Sequence, residues 1–138
     1  MSHVSRTVGT IILVVALHIP AVWGSWYFFF WWYDVLMHGL GGFAVGCAAM
    51  VLWGVQKSSS WKSYGRYILF VLGCTALVGI GWEWLEGLVD ALFLTQGTMA
   101  PAQLGLVDTM LDLYFDLLGG LLAFFIAQRI DQKKEGVL

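Results

Sequence analysis

The chain has 138 residues, 59% of them hydrophobic and 12% charged, a composition that belongs to an integral membrane protein and excludes a water-soluble globule. A net charge of −2 with scattered basic residues excludes a nucleic-acid surface. Cys47 and Cys74 stand alone in apolar runs, without the spacing of a redox pair or a metal ligand set, and are read as small core residues.

In chain order, "MSHVSRTVGTIILVVALHIPAVWG" combines a basic start with an apolar run and is read as a retained signal anchor and first span. Apolar runs long enough to cross about 30 Å of hydrocarbon fall at about 7–24, 33–55, 66–90 and 107–128. They predict an all-α, four-helix transmembrane bundle, a single integral membrane domain over residues 1–138. Between the first two spans, "SWYFFFWWY" has the aromatic density of a membrane–water belt. The polar "QKSSSWKSYGR" and the uncharged "LFLTQGTMAPAQLG" are loops.

Every lysine and arginine lies before span 1 (Arg6), around the loop between spans 2 and 3 (Lys57, Lys62, Arg66), or after span 4 (Arg129, Lys133, Lys134). With four spans these places share one side of the membrane. The positive-inside rule makes that side cytoplasmic, with both termini inside and the protein a multi-pass component of the inner (plasma) membrane.

The acids are distributed in the opposite way. Asp34 opens span 2 from the outer side and His38 follows one turn deeper; Glu83, Glu86 and Asp90 occupy the last turns of span 3; Asp108, Asp112 and Asp116 descend along span 4. At about 1.5 Å per residue, His38, Glu83 and Asp112 all lie roughly 6–11 Å below the outer boundary. His18 in span 1 reaches a similar depth and is a fourth candidate contributor, although a bond to a backbone carbonyl freed by Pro20 is the plainer expectation. Gly42 and Gly46 below His38, and Gly119 and Gly120 below Asp116, mark the polar faces of spans 2 and 4 as close-packing interior faces.

Carboxylates gathered in low dielectric cannot all ionise without cations, and no lysine or arginine lies in the outer half of a span. Shared protons, a water-filled cavity or bound metal remain. The i,i+3 and i,i+4 pairs resemble the way helical bundles build di-metal carboxylate sites. Asp34, His38, Glu83, Glu86, Asp108, Asp112 and Asp116 are therefore the candidate ligands of a divalent metal, and oxygen-rich ligation with one imidazole suits Mg, Mn, Ca, Fe or Zn. Asp34 and Asp108 can also serve as helix N-terminal caps, and Asp90 is placed at the interface in water.

"YDVLMHGLGGF", "GWEWLEGLVD" and "VDTMLDLYFDLLGGLLA" resemble the three signature blocks of the YjdF-like family, uncharacterised small bacterial inner-membrane proteins more distantly akin to VanZ-like proteins. Asp34, His38, Trp82, Glu83, Glu86, Asp108, Thr109 and Asp112 stand at the matching positions. The resemblance implies a shared polar cluster and no particular reaction. The chain is shorter than such relatives, which carry additional N-terminal spans; if those spans complete the site there, the resemblance implies a partner membrane subunit in that role here.

Three function classes follow. One is a metal-dependent hydrolase acting on a lipid or lipid-linked substrate, with Glu86 as general base and the 91–105 loop as a lid. Another is a structural or assembly subunit of a larger membrane complex, as a homo-oligomer or with a partner subunit. The last is a carrier of protons or metal ions, against which stands the lack of ionisable residues in the inner halves of the spans away from their ends. Membrane lipids are the expected surroundings in each.

The charge pattern carries its own test. Cysteines introduced at Ser59 and Gln96 are expected to react with an impermeant thiol reagent from opposite sides of the membrane, and labelling of both from one side would overturn the topology.

Overall fold

A computed structural model describes residues 3–53, 61–93 and 101–134. It contains α1 (His3–Trp23), a single turn α2 (Trp26–Phe29), α3 (Trp31–Trp53), α4 (Trp61–Phe93) and α5 (Leu106–Lys134). Stretches of α1, α3, α4 and α5 are long and apolar enough to cross a membrane: His3–Trp23, Trp31–Trp53, Tyr64–Phe93 and Leu106–Ile130. The fold is thus the all-helical, four-span bundle that the hydropathy pattern predicts.

The helices run further than the apolar runs. With 33 residues α4 is about 50 Å long at 1.5 Å per residue, longer than the hydrocarbon slab. Neither "WKSYGR" at its start nor "QRIDQKK" at the end of α5 contains a proline, so the backbone ladder continues into the polar layer. The aromatic tract differs from a plain loop: Ser25, in the left-handed region at φ 53°, turns the chain into the one-turn α2. Trp23, Phe28, Phe29 and Trp31 stay exposed, as rings at a membrane boundary do. Residues 56–60 of the loop between spans 2 and 3 and residues 94–100 of the outer loop lie outside the described residues.

Helix α3 is the centre of the bundle and packs on α1, α4 and α5, while α5 also packs on α4. Two apolar clusters hold it. Cys47, Ala49, Met50, Val71, Ala123, Phe124 and Ala127 fill the end nearer the chain termini, and Ala21, Tyr33 and Met37 join α1 to α3 at the other. Cys47 is buried and Cys74 packs against the first cluster, both as free thiols, which agrees with their reading as core residues.

Between α3 and α5 the contact is made by backbone. A Cβ added at Gly42 would collide with the Asp116 backbone, and one at Gly119 with the Gly39 carbonyl. One at Gly46 would stand 2.9 Å from the Gly120 Cα. In lipid no hydrophobic force draws two apolar helices together, so such close approach, with its dispersion contacts, is what holds them. Gly41, one position from Gly42, faces open space.

The seam predicts a difference between neighbours. Gly42→Ala is expected to destabilise the bundle by about 1–3 kcal/mol through overpacking, read as a lower melting temperature in detergent, whereas Gly41→Ala should melt like the parent protein.

Candidate metal centre

The end of α1, the start of α3, the end of α4 and the start of α5 meet at one end of the bundle. Because α3 and α5 touch along the glycine seam, His38 on the first faces Asp112 and Asp116 on the second, and α4 brings Glu83 to the same place. The imidazole is the hub. Its Nδ1 lies 3.3 Å from Asp116 Oδ2, and its Nε2 lies 3.7 Å from Asp34 Oδ1, 4.0 Å from Glu83 Oε1 and 4.0 Å from Asp112 Oδ1. The side chains of His38, Glu83 and Asp112 are only 5%, 6% and 2% exposed.

In the contact with Asp116 the ring's Nδ1–H donates to the carboxylate. Nε2, on the other side of the ring, is turned toward the oxygens of Asp34, Glu83 and Asp112. His38 Nε2, Glu83 Oε1, Asp112 Oδ1 and Asp112 Oδ2 are all buried without a hydrogen-bond partner. Of these, Glu83 Oε1 and Asp112 Oδ1 lie around His38 Nε2 at 4.0 Å.

The spacing fits a cation. Ligand atoms at about 2.1 Å from one ion are at most about 4.2 Å apart, and at about 2.5 Å at most about 5 Å apart. One atom each of Asp34, His38 and Asp112 lies within 4.8 Å of the other two, and Glu83 Oε1 approaches the same imidazole nitrogen from α4. Asp116 occupies the position from which a carboxylate orients a metal-binding histidine through its other nitrogen.

The remaining candidates sit around this centre. Asp108 lies one turn above Asp112, half-buried, within electrostatic reach of it and of Asp34. Glu86, one turn beyond Glu83, accepts a hydrogen bond from Trp82 Nε1 at 2.6 Å and leaves Oε2 buried and unpartnered. Among the described residues the one other buried polar side chain is Thr75, whose hydroxyl donates to the Val71 carbonyl at 2.8 Å.

Two expectations are corrected. His18 does not take a carbonyl freed by Pro20. Its Nδ1 pairs with the Tyr27 hydroxyl at 2.7 Å and its ring meets Trp82 edge-on, while Tyr33 Oη donates to the Leu17 carbonyl at 3.0 Å, one turn before the proline. Burial first, and then the facing Asp34, Tyr33 and Glu86, push the Tyr27 phenol above its usual range, so it stays protonated in its hydrogen bond with His18. Asp90 is not simply in water: its two carboxylate oxygens accept the backbone N–H groups of Ala102 and Gln103 at 2.8 and 2.9 Å.

Sequence reading missed Gln103, which donates from Nε2 to Glu83 Oε2 at 2.6 Å. It lies in an irregular segment with no helical period to assign its direction. Thr109, found only through the family blocks, donates to the same oxygen at 2.7 Å.

Across residues 4–133 the chain matches the family described as "Predicted membrane protein (DUF2238)", and it belongs to that family. An uncharacterized protein of Thermotoga maritima is 32% identical over 108 residues, which covers 78% of this chain and 51% of the relative. The chain thus spans about half the length of that curated relative. No solved structure matches it.

The two histidines predict different consequences of loss. Tyr27→Phe removes the partner of His18 and is expected to lower stability by about 1 kcal/mol, without changing divalent-ion content measured by elemental analysis.

Proposed function

We propose that this member of the family holds a divalent cation between Asp34, His38, Glu83 and Asp112, and uses it to hydrolyse a lipid or lipid-linked substrate. One observation carries the cation: His38 Nε2 lies 3.7–4.0 Å from oxygens of Asp34, Glu83 and Asp112, and Nε2, Glu83 Oε1 and both Asp112 oxygens are buried without a hydrogen-bond partner among the described residues. A cation satisfies every one of them at once, and one imidazole with several carboxylates suits Mg, Mn, Ca, Fe or Zn. Asp116 orients the imidazole, and Asp108 adds negative charge at the mouth.

A bound divalent ion lowers the pKa of its water and polarises a phosphoryl or acyl oxygen. Glu86, with one carboxylate oxygen buried and unpartnered near the centre, would serve as the general base. The substrate class follows from the surroundings: the centre lies within apolar helices, so a lipid-soluble molecule reaches it sideways. By the positive-inside reading this end of the bundle faces away from the cytoplasm, across the plasma (inner) membrane. The YjdF-like reading, with its VanZ-like kinship, rests on the three blocks that supply Asp34 to His38, Trp82 to Glu86 and Asp108 to Asp112.

Purified protein is expected to contain a divalent metal by plasma mass spectrometry and to lose thermal stability in chelator. A ligand present at 100 times its Kd adds about 2.7 kcal/mol, so the shift should be several degrees. Asp112→Asn and Glu83→Gln should lower metal content and abolish that stabilisation. A core that merely shares protons gives the opposite sign, because an amide relieves repulsion without losing a ligand. Indifference of the melting temperature to chelator and divalent ions, with Asp112→Asn no less stable than the parent, would overturn the cation.

A further inference from the structure

Residues 101–105, which lead into α5, are tied to the centre by a continuous set of hydrogen bonds. Asp90, near the end of α4, accepts the backbone N–H groups of Ala102 and Gln103 and so pins the segment down. From there the Gln103 side chain reaches Glu83 Oε2 with its Nε2 at 2.6 Å. Its Oε1 accepts the Gly105 N–H at 3.0 Å and faces the Thr109 hydroxyl at 3.2 Å. Gly105, at φ 112°, makes the turn that a side chain would strain.

Only one orientation of the amide fits. Rotating it would set Oε1 against a carboxylate oxygen and the NH₂ group against the Gly105 N–H, losing both bonds. The Thr109 hydroxyl has one proton and gives it to Glu83 Oε2, the nearer acceptor at 2.7 Å. Glu83 is therefore asymmetric. Its Oε2 receives two donors, while its Oε1 has none and points toward His38 Nε2.

We propose that Gln103 is a positioning residue of the cation centre. With Thr109 it fixes the rotation of the Glu83 carboxylate so that Oε1 is presented to the ion, and cation binding and docking of residues 101–105 are thereby one coupled equilibrium. This rests on the cation reading given above. The coupling is reciprocal: whatever the docked segment adds to cation affinity, the cation adds to docking of the segment.

The test uses the full chain in lipid nanodiscs, titrated with Mn²⁺ and separately with Zn²⁺. Loss of an outer partner of a ligand lowers metal affinity by about 10–100-fold. Gln103→Ala and Thr109→Val should each show a loss of that size, Gln103→Glu, which sets a carboxylate against a carboxylate, a larger one, and Thr109→Ser should bind like the parent. As a second measurement, amide exchange at Ala102 and Gln103 in the unaltered protein should speed up when the ion is chelated. A merely structural role would leave that exchange indifferent to metal. Equal affinity in Gln103→Ala and parent, or exchange unaffected by metal, overturns the role of Gln103 and leaves the cation standing. Failure of the unaltered protein to bind either ion overturns both.

Discussion

The close approach of α3 and α5 at their glycines is the contact on which the rest depends. Where Gly42 meets the Asp116 backbone and Gly119 meets the Gly39 carbonyl, no side chain separates the two helices. The residues above that seam are consequently held at side-chain distance: His38 from one helix reaches Asp116 and Asp112 from the other. Helix α4 fits into the same arrangement, with Gly79 packed against the Asp116 carboxylate and Thr75 against Gly120. One row of missing Cβ atoms therefore sets both the packing of the bundle and the geometry of its polar end.

That geometry is expensive unless something completes it. His38 Nε2, Glu83 Oε1, Glu86 Oε2 and both Asp112 carboxylate oxygens are buried without partners. At about 1–3 kcal/mol for each unsatisfied atom, their sum is comparable with the whole stability of a typical domain, about 5–15 kcal/mol. Lipid on the outside of the helices offers no relief, since it supplies no hydrogen-bond donors. The proposed cation would relieve this penalty and tie α3, α4 and α5 together, as metals do in other small domains.

The rest of the polar groups are arranged in tiers around the centre. Asp116 meets the far nitrogen of the imidazole, and Gln103 and Thr109 hold the far oxygen of Glu83. Outside these, Trp82 holds one oxygen of Glu86, while Tyr27 and His18 pair with each other against the Trp82 ring. The opposite end of the bundle packs Met50, Val71 and Phe124 in its apolar cluster.

The sequence by itself determined the number of spans and the depth of each polar residue, because span length follows from hydrocarbon thickness and depth from the constant rise of a helix. His38, Glu83 and Asp112 could be assigned to one level on that basis alone. Rotation about each helix axis has no such rule, since it is set by which faces pack. Only the tertiary structure therefore decided that Asp112 and His38 face each other while Glu86 and Asp108 stand to the side, and that His18 turns to Tyr27 rather than to a carbonyl near Pro20. Asp90 and Gln103 lay furthest from view. Their roles depend on where an irregular segment returns to the helices, and that position is fixed by hydrogen bonds between residues 12 and 20 positions apart, which no local pattern records.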